Sequence, residues 1–209
     1  MLIDFHSHFS SPDSIVCTAD ASAPDRDGAL LRCAGLLPDK WTVQGQEQLF
    51  SLLERNSGLQ LGEVGLDRRF ESIMPIDRQI TILKQELEFA ILKERIISLH
   101  CVHATKPMID ILKELDFRPY SILWHGFNGS PETARELAKL NVILSIGPRF
   151  SGNIESILHS NPYTVPETDY EGSDNLEHQK ILECQYQRFP TIAKKKAAVV
   201  FQLFCNGKS

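Results

Sequence analysis

The sequence predicts a small TIM-type (β/α)8 barrel, an α/β fold, lacking one outer helix. Three observations point to it. Eight short apolar runs of strand length recur along 209 residues. From the third run onward they alternate with stretches of helical period, the pattern of parallel strands joined by helices. Polar residues with metal-binding chemistry stand at the C-terminal ends of several runs, where barrels of this type carry their sites. An open doubly wound sheet is the structural alternative. The length lies near the lower limit for such a barrel, and a compressed stretch between the second and third runs accounts for the shortfall.

The first run is Leu2-Ile3-Asp4-Phe5, entering His6-Ser7-His8. Ser14–Ala19 follows, then a polar turn over Asp20–Gly28, too short and polar for a packed helix, then Leu30–Leu37, ended by Pro38-Asp39. Val43–Asn56 reads as a helix with Leu49, Leu52 and Leu53 on its apolar stripe. Leu59–Val64 is the fourth strand. Pro75 and Asp77 open the next helix, with Ile80, Leu83, Leu87, Ala90 and Ile91 on one face. Arg95–His100 is a strand; Thr105 and Pro107 start a helix that turns Met108, Ile111, Leu112 and Leu115 inward. Tyr120–His125 is the next strand. Ser130-Pro131-Glu132 combines a capping hydroxyl, a first-turn proline and an acid near the positive helix end. Val142–Ile146 and Tyr163–Pro166 are the last strands, with a helix at Asn153–His159 between them. Asn175–Tyr186 and Pro190–Cys205 are helical, Leu203 and Phe204 docking on the core and Gly207 acting as a stop.

Composition narrows the class. Residues 1–209 carry 42% hydrophobic content, enough for a single domain and too few for two full ones. A net charge of -5 lacks the basic footprint of bulk nucleic-acid binding, but leaves open a nucleic-acid substrate held locally through metal ions. Five dispersed cysteines without a Cys-x-x-Cys read as reduced thiols. No leader pattern and no apolar run of membrane-spanning length is visible, so a cytoplasmic monomer with no membrane partner is expected.

Residues two apart on a strand face the same way, so Asp4, His6 and His8 share a side. Alone, His-x-His is a weak signal. Glu63, His100, His125 and Asp169 add strand-end ligands from four more runs. Four imidazoles and two carboxylates exceed the needs of one tetrahedral metal. They suit two divalent ions, zinc, manganese or magnesium, sharing a carboxylate, for which Glu63 is the candidate. Calcium is a poor match to such donors. Two ions roughly 3.5–4 Å apart clamp an in-line displacement at phosphorus. The expected reaction is attack by metal-bound hydroxide, with Asp169 taking the proton and Glu63 bridging.

With these residues in place, the sequence resembles the TatD family of metal-dependent deoxyribonucleases and related hydrolases. Asp4-Phe5-His6-Ser7-His8 resembles its opening Asp-x-His-x-His, and Gly62-Glu63-Val64-Gly65-Leu66-Asp67 its Gly-Glu-x-Gly-Leu-Asp. His100 falls at a strand-end histidine of the family. His125-Gly126-Phe127-Asn128-Gly129-Ser130 and Glu167-Thr168-Asp169 resemble two further motifs. The match runs from residue 2 to about residue 205. The resemblance implies an amidohydrolase-like barrel in which His6, His8 and Asp169 hold one ion, His100 and His125 the other, and Glu63 bridges. It implies DNA or short oligonucleotides as substrate. The departures concern the substrate. Gly35-Leu36-Leu37-Pro38 lacks the histidine of the family's Gly-x-His-Pro, His100-Cys101-Val102 lacks the arginine of its His-x-Arg, and Arg68-Arg69 replaces a tyrosine. A small phosphorylated, ester or amide substrate is the alternative, and a non-catalytic metal-binding scaffold the rival from another class.

Arg68, Arg69 and His103 are the substrate-binding candidates, with Lys106 and Arg149 also near strand ends. Asp67 reads either as an anchor for a metal ligand or as a turn residue. Trp124 is expected to pack, Cys101 to be no nucleophile, His159 and His178 to lie at the surface, and Lys194-Lys195-Lys196 to be a solvated helix face.

Overall fold

The computed structural model describes residues 2–18 and 28–206. Eight strands follow one another around a single sheet in chain order: β1 (Asp4–Ser7), β2 (Ser14–Thr18), β3 (Leu31–Ala34), β4 (Leu59–Asp67), β5 (Ile97–Val102), β6 (Ile122–Trp124), β7 (Ile143–Ile146) and β8 (Thr164–Pro166). Every neighbouring pair is parallel. The seam between β8 and β1 is joined just beyond the strand ends. There the Asp169 N–H donates to the His6 carbonyl at 3.0 Å and the His8 N–H to the Tyr170 carbonyl at 2.9 Å. The result is a TIM-type barrel. Every residue of β1, β6, β7 and β8 is buried, as expected of parallel strands covered on both faces.

Seven helices surround the described strands: α1 (Val43–Arg55), α2 (Ile76–Leu92), α3 (Thr105–Glu114), α4 (Pro131–Lys139), α5 (Ile154–Ser160), α6 (Asn175–Arg188) and α7 (Thr191–Asn206). Their starts follow local chemistry. Thr42 caps α1 by accepting from the Gly45 N–H at 2.9 Å, Asp174 caps α6 through Glu177 at 2.8 Å, and Ser130 caps α4 ahead of its first-turn proline. The β1–β2 link, residues 8–13, contains no helix. The turn expected at Asp20–Gly28 lies, apart from Gly28, outside the described residues, as does Gly207. The barrel wall at β1 is covered by α7 instead. Phe5 meets Phe201 edge-on with ring centroids 6.4 Å apart, and Phe204 is fully buried in the same cluster as Phe5 and Ile15.

The face of α2 buried against β4 carries one charged residue out of place. Glu86 is buried, its Oε1 has no partner, and burial raises its carboxyl from 4.5 to about 8. The folded state therefore keeps a proton that the unfolded chain releases near its ordinary value. The contribution of Glu86 to stability is fully present below pH 4.5 and is lost as pH rises toward 8. Glu86→Gln, which mimics the protonated carboxyl, is expected to raise the melting temperature at pH 8 by about 5 °C or more and change it little at pH 4.5. Paired thermal melts at the two pH values check this; equal shifts at both would contradict it.

Candidate metal centre

The C-terminal ends of β1, β4, β5, β6 and β8 converge on one cluster. Glu63 lies at its middle, on β4, between two glycines whose missing side chains let β5 approach. A Cβ on Gly62 would meet Ser98 Cβ at 2.7 Å, and one on Gly65 would meet the His100 carbonyl at 1.8 Å. The expectation of tight backbone approach around Glu63 is met.

One half of the cluster is spaced as a ligand shell. His6 Nε2 lies 3.8 Å from Glu63 Oε2 and 3.8 Å from Asp169 Oδ1, while His8 Nε2 lies 3.7 and 3.5 Å from the same two oxygens. Tetrahedral ligands at zinc-like distances of about 2.1 Å have edges of roughly 3.4 Å, close to this set. His6 Nε2 is buried without a hydrogen-bond partner, an orphaned donor atom at the centre of the set. Its other nitrogen lies 3.1 Å from Ser98 Oγ, and His8 Nδ1 lies 3.0 Å from the Cys17 carbonyl. Both rings are thus oriented from behind, as metal-binding imidazoles commonly are. Burial and the neighbouring His125 keep His6 well below 6.5, so it stays neutral. Burial opposes a charge on His8, yet its hydrogen bond to Asp169 and the Glu63 carboxylate lift it to about 9. Burial likewise opposes ionisation of Asp169, but its hydrogen bond to His8 and the nearby charges of His125 and Arg149 hold it at about 2.

The other half is drawn together by protons. Glu63 Oε1 lies 2.5 Å from His100 Nδ1 and 2.7 Å from His125 Nε2, and the two imidazole nitrogens are 3.1 Å apart. Burial opposes these charges, but Glu63 and Asp67 raise His100, Glu63 and Glu167 raise His125, and the imidazoles hold Glu63 well below 4.5. His100 Nε2 lies 3.0 Å from Asp67 Oδ2, so Asp67 is the anchor of a cluster histidine; it also caps the 3-10 turn Arg68–Phe70 through the Arg69 N–H. Behind His125, Glu167 accepts from the Gly126 N–H at 2.8 Å and from Ser145 Oγ.

All six strand-end residues singled out from the sequence meet here. The cation candidates divide. Arg69 is committed to Asp67, its Nε 3.0 Å from both carboxylate oxygens and its Nη2 2.5 Å from Oδ2. Arg68 pairs with Glu71 at 2.8 Å, and His103 is exposed just past β5. Arg149 reaches Asp169 Oδ2, the oxygen turned away from His6 and His8. Trp124 packs on Phe127, His159 is exposed, and burial raises the Cys101 thiol to about 12, as befits a residue with no nucleophilic part.

His178 corrects an expectation: it is buried, not at the surface. Its Nε2 lies 2.8 Å from Asp4 Oδ2. Asp4 accepts from the Thr168 N–H at 2.9 Å and its hydroxyl at 2.6 Å, which fixes the residue before Asp169. Asp4 therefore braces the cluster from below. The missed signal is a buried stripe on α6: His178, Leu182, Gln185 and Tyr186 recur at helical spacing.

A parallel barrel with imidazole and carboxylate side chains converging at its strand ends is a metal-dependent hydrolase scaffold, and the donor set suits a divalent transition ion. Residues 3–187 match the family described as TatD related DNase, and the chain belongs to that family. It is similar to the human 3'-5' RNA nuclease TATDN2, 26% identical over 109 residues, which are 52% of this chain and 14% of that protein. It is also similar to the uncharacterized metal-dependent hydrolase YabD of Bacillus subtilis (strain 168), 34% identical over 87 residues, 42% of this chain and 34% of that one. The matched stretches thus span well under half of either relative. Among solved structures, the fold is shared with the TatD homologue YjjV of Escherichia coli K12, at TM-score 0.70 and 23% identity over 93% of this chain and 83% of that one. It is shared as well with an uncharacterized amidohydrolase from Saccharomyces cerevisiae, at TM-score 0.60 and 16% identity over 91% and 75% of the chains.

Proposed function

We propose that this protein hydrolyses phosphodiester bonds in DNA, RNA or short oligonucleotides, with two divalent ions, zinc, manganese or magnesium, held by the six-residue cluster. The observation that carries the reading is the placement of Glu63. One of its oxygens faces His6 and His8, the other faces His100 and His125, so a single carboxylate serves two donor sets. His6, His8 and Asp169 would hold one ion and His100 and His125 the other. When bound, such a pair supplies an acidified water and neutralises charge gathering on phosphoryl oxygens.

The chain's own groups do the rest. Asp169 Oδ2 lies outside the ligand set and is the atom that accepts the proton of the attacking water. Arg149 holds that oxygen until substrate arrives, and then offers its guanidinium to a phosphate oxygen. Arg68 and His103 contribute further substrate contacts beyond the ends of β4 and β5. The pull of Asp67 on His100 keeps that ring turned toward Glu63. The family match and the RNA-nuclease relative support a nucleic-acid substrate. Leu37 and Val102, which stand where the resemblance implies histidine and arginine, favour a small phosphorylated compound as the second reading.

Turnover of bis(p-nitrophenyl) phosphate, single-stranded DNA and single-stranded RNA by the same sample tests the reading. Cleavage of at least one of the three that stops with a chelator and returns with manganese, magnesium or zinc is expected. Cleavage that survives complete removal of metal, or none of any substrate with metal bound, would contradict it.

A further inference from the structure

Asp169 does not stand in the barrel wall. It lies in the loop between β8 and α6, three residues beyond Pro166, with its backbone at φ 51°. A side-chain-bearing residue seldom adopts that left-handed conformation, and it persists where the surroundings over-determine it. The backbone angle sets where the carboxylate points. It therefore decides whether Oδ1 stays 3.8 Å from His6 Nε2 and 3.5 Å from His8 Nε2.

Both neighbours of Asp169 are tied down. The Thr168 N–H donates to Asp4 Oδ1 at 2.9 Å, and its hydroxyl donates to Asp4 Oδ2 at 2.6 Å. Asp4 Oδ2 also accepts from His178 Nε2 at 2.8 Å, so the imidazole fixes the carboxylate that fixes Thr168. On the other side, the Tyr170 carbonyl accepts from the His8 N–H at 2.9 Å, and its hydroxyl donates to Glu177 Oε2 at 2.7 Å. Glu177 and His178 are adjacent in the first turn of α6, so one turn of helix grips both flanks of Asp169.

Packing alone does not call for a histidine here. Position 178 belongs to the buried stripe of α6 with Leu182, and the residue is 1% exposed. Its Nδ1 is buried with no hydrogen-bond partner among the described residues, so the ring's polar bonding passes through Nε2. Burying a polar ring is costly unless a hydrogen bond offsets it, and the bond to Asp4 does so. Ser14 Oγ lies 3.4 Å from the same nitrogen, a longer contact.

We propose that His178 is a positioning residue for Asp169. Acting through Asp4 and Thr168, it holds the carboxylate so that Oδ1 completes the His6–His8 donor set and Oδ2 is left to take a proton. The catalytic consequence rests on the phosphodiesterase reading, whereas the holding of the loop does not.

The test compares the full-length protein with His178→Leu, which removes the donor and keeps an apolar side chain, and His178→Gln, whose amide can donate from near the place of Nε2. Amide hydrogen exchange is followed by NMR on metal-free protein. Zinc affinity and turnover of bis(p-nitrophenyl) phosphate with manganese are then measured. In His178→Leu the Thr168 and Asp169 amides are expected to exchange at least tenfold faster, while Leu144 in β7 is unchanged. The first zinc ion is expected to bind at least tenfold more weakly, and kcat to fall at least tenfold with KM within twofold. His178→Gln is expected to bring each value back to within about threefold of wild type. Unchanged exchange at Thr168 and Asp169, acceleration shared equally by Leu144, or a His178→Gln variant as impaired as His178→Leu would overturn the proposal. The two readings fail separately. Active wild-type protein matched by His178→Leu in every measurement loses only the role of His178. Wild-type protein that hydrolyses no phosphodiester, with the exchange and zinc differences as expected, loses only the hydrolase reading.

Discussion

Asp169→Asn is expected to lower turnover by about 10³-fold, the usual scale of a lost general base, while the protein stays folded. The asparagine keeps the shape of the side chain and its backbone hydrogen bond to the His6 carbonyl. It removes the charge that helps lift His8 to about 9, and it removes the carboxylate oxygen turned away from His6 and His8, the proposed proton acceptor. The comparison that matters is kcat at saturating metal, with circular dichroism to confirm folding. A loss of less than tenfold would mean that the proton leaves by another route. The same variant separates the enzyme from a scaffold, since a barrel that only binds a partner does not need a base at this position.

Glu63→Gln reaches further, because Glu63 faces four imidazoles. The carboxylate is the main charge that raises His125 and one of those that raise His100. Without it both rings are expected to titrate at lower pH than in the metal-free wild-type protein, and metal affinity is expected to fall by at least about 100-fold, beyond the loss typical of a supporting group. Activity falls with it. The imidazole titrations, followed by NMR on metal-free protein, read the electrostatics without relying on turnover. Unchanged His100 and His125 titrations would contradict the central place given to Glu63.

Much of this site is legible in the sequence because a parallel barrel puts the ends of all its strands on one face. Once His6, Glu63, His100, His125 and Asp169 are recognised as strand-end residues, their convergence follows from topology alone. Side-chain alternation is less informative about depth. It puts Asp4 on the same side as His6, but one step lower, where its carboxylate meets Thr168 and His178 instead of the cluster. His178 is hard to read for a related reason. Its helix carries Glu177, Gln179, Lys180 and Glu183 around a narrow buried stripe, so the polar neighbours mask the buried histidine. Arg69 presents the opposite case. Nothing in a string of letters shows that its guanidinium folds back two residues onto Asp67. The covering of β1 by the C-terminal helix is a long-range consequence of the short β1–β2 link, and the local pattern of neither segment announces it.

The two halves of the cluster should load unequally. His6, His8, Glu63 and Asp169 already stand at ligand spacing with one raised imidazole, His8, whereas His100 and His125 are both raised and must give up protons and move away from Glu63. The most direct measurement is therefore metal stoichiometry by isothermal titration of the metal-free protein with zinc or manganese at pH 8, with proton release recorded alongside. Two ions per chain, the second weaker and accompanied by greater proton release, is the predicted result. Saturation at one ion per chain, or no binding, would contradict the two-ion site bridged by Glu63.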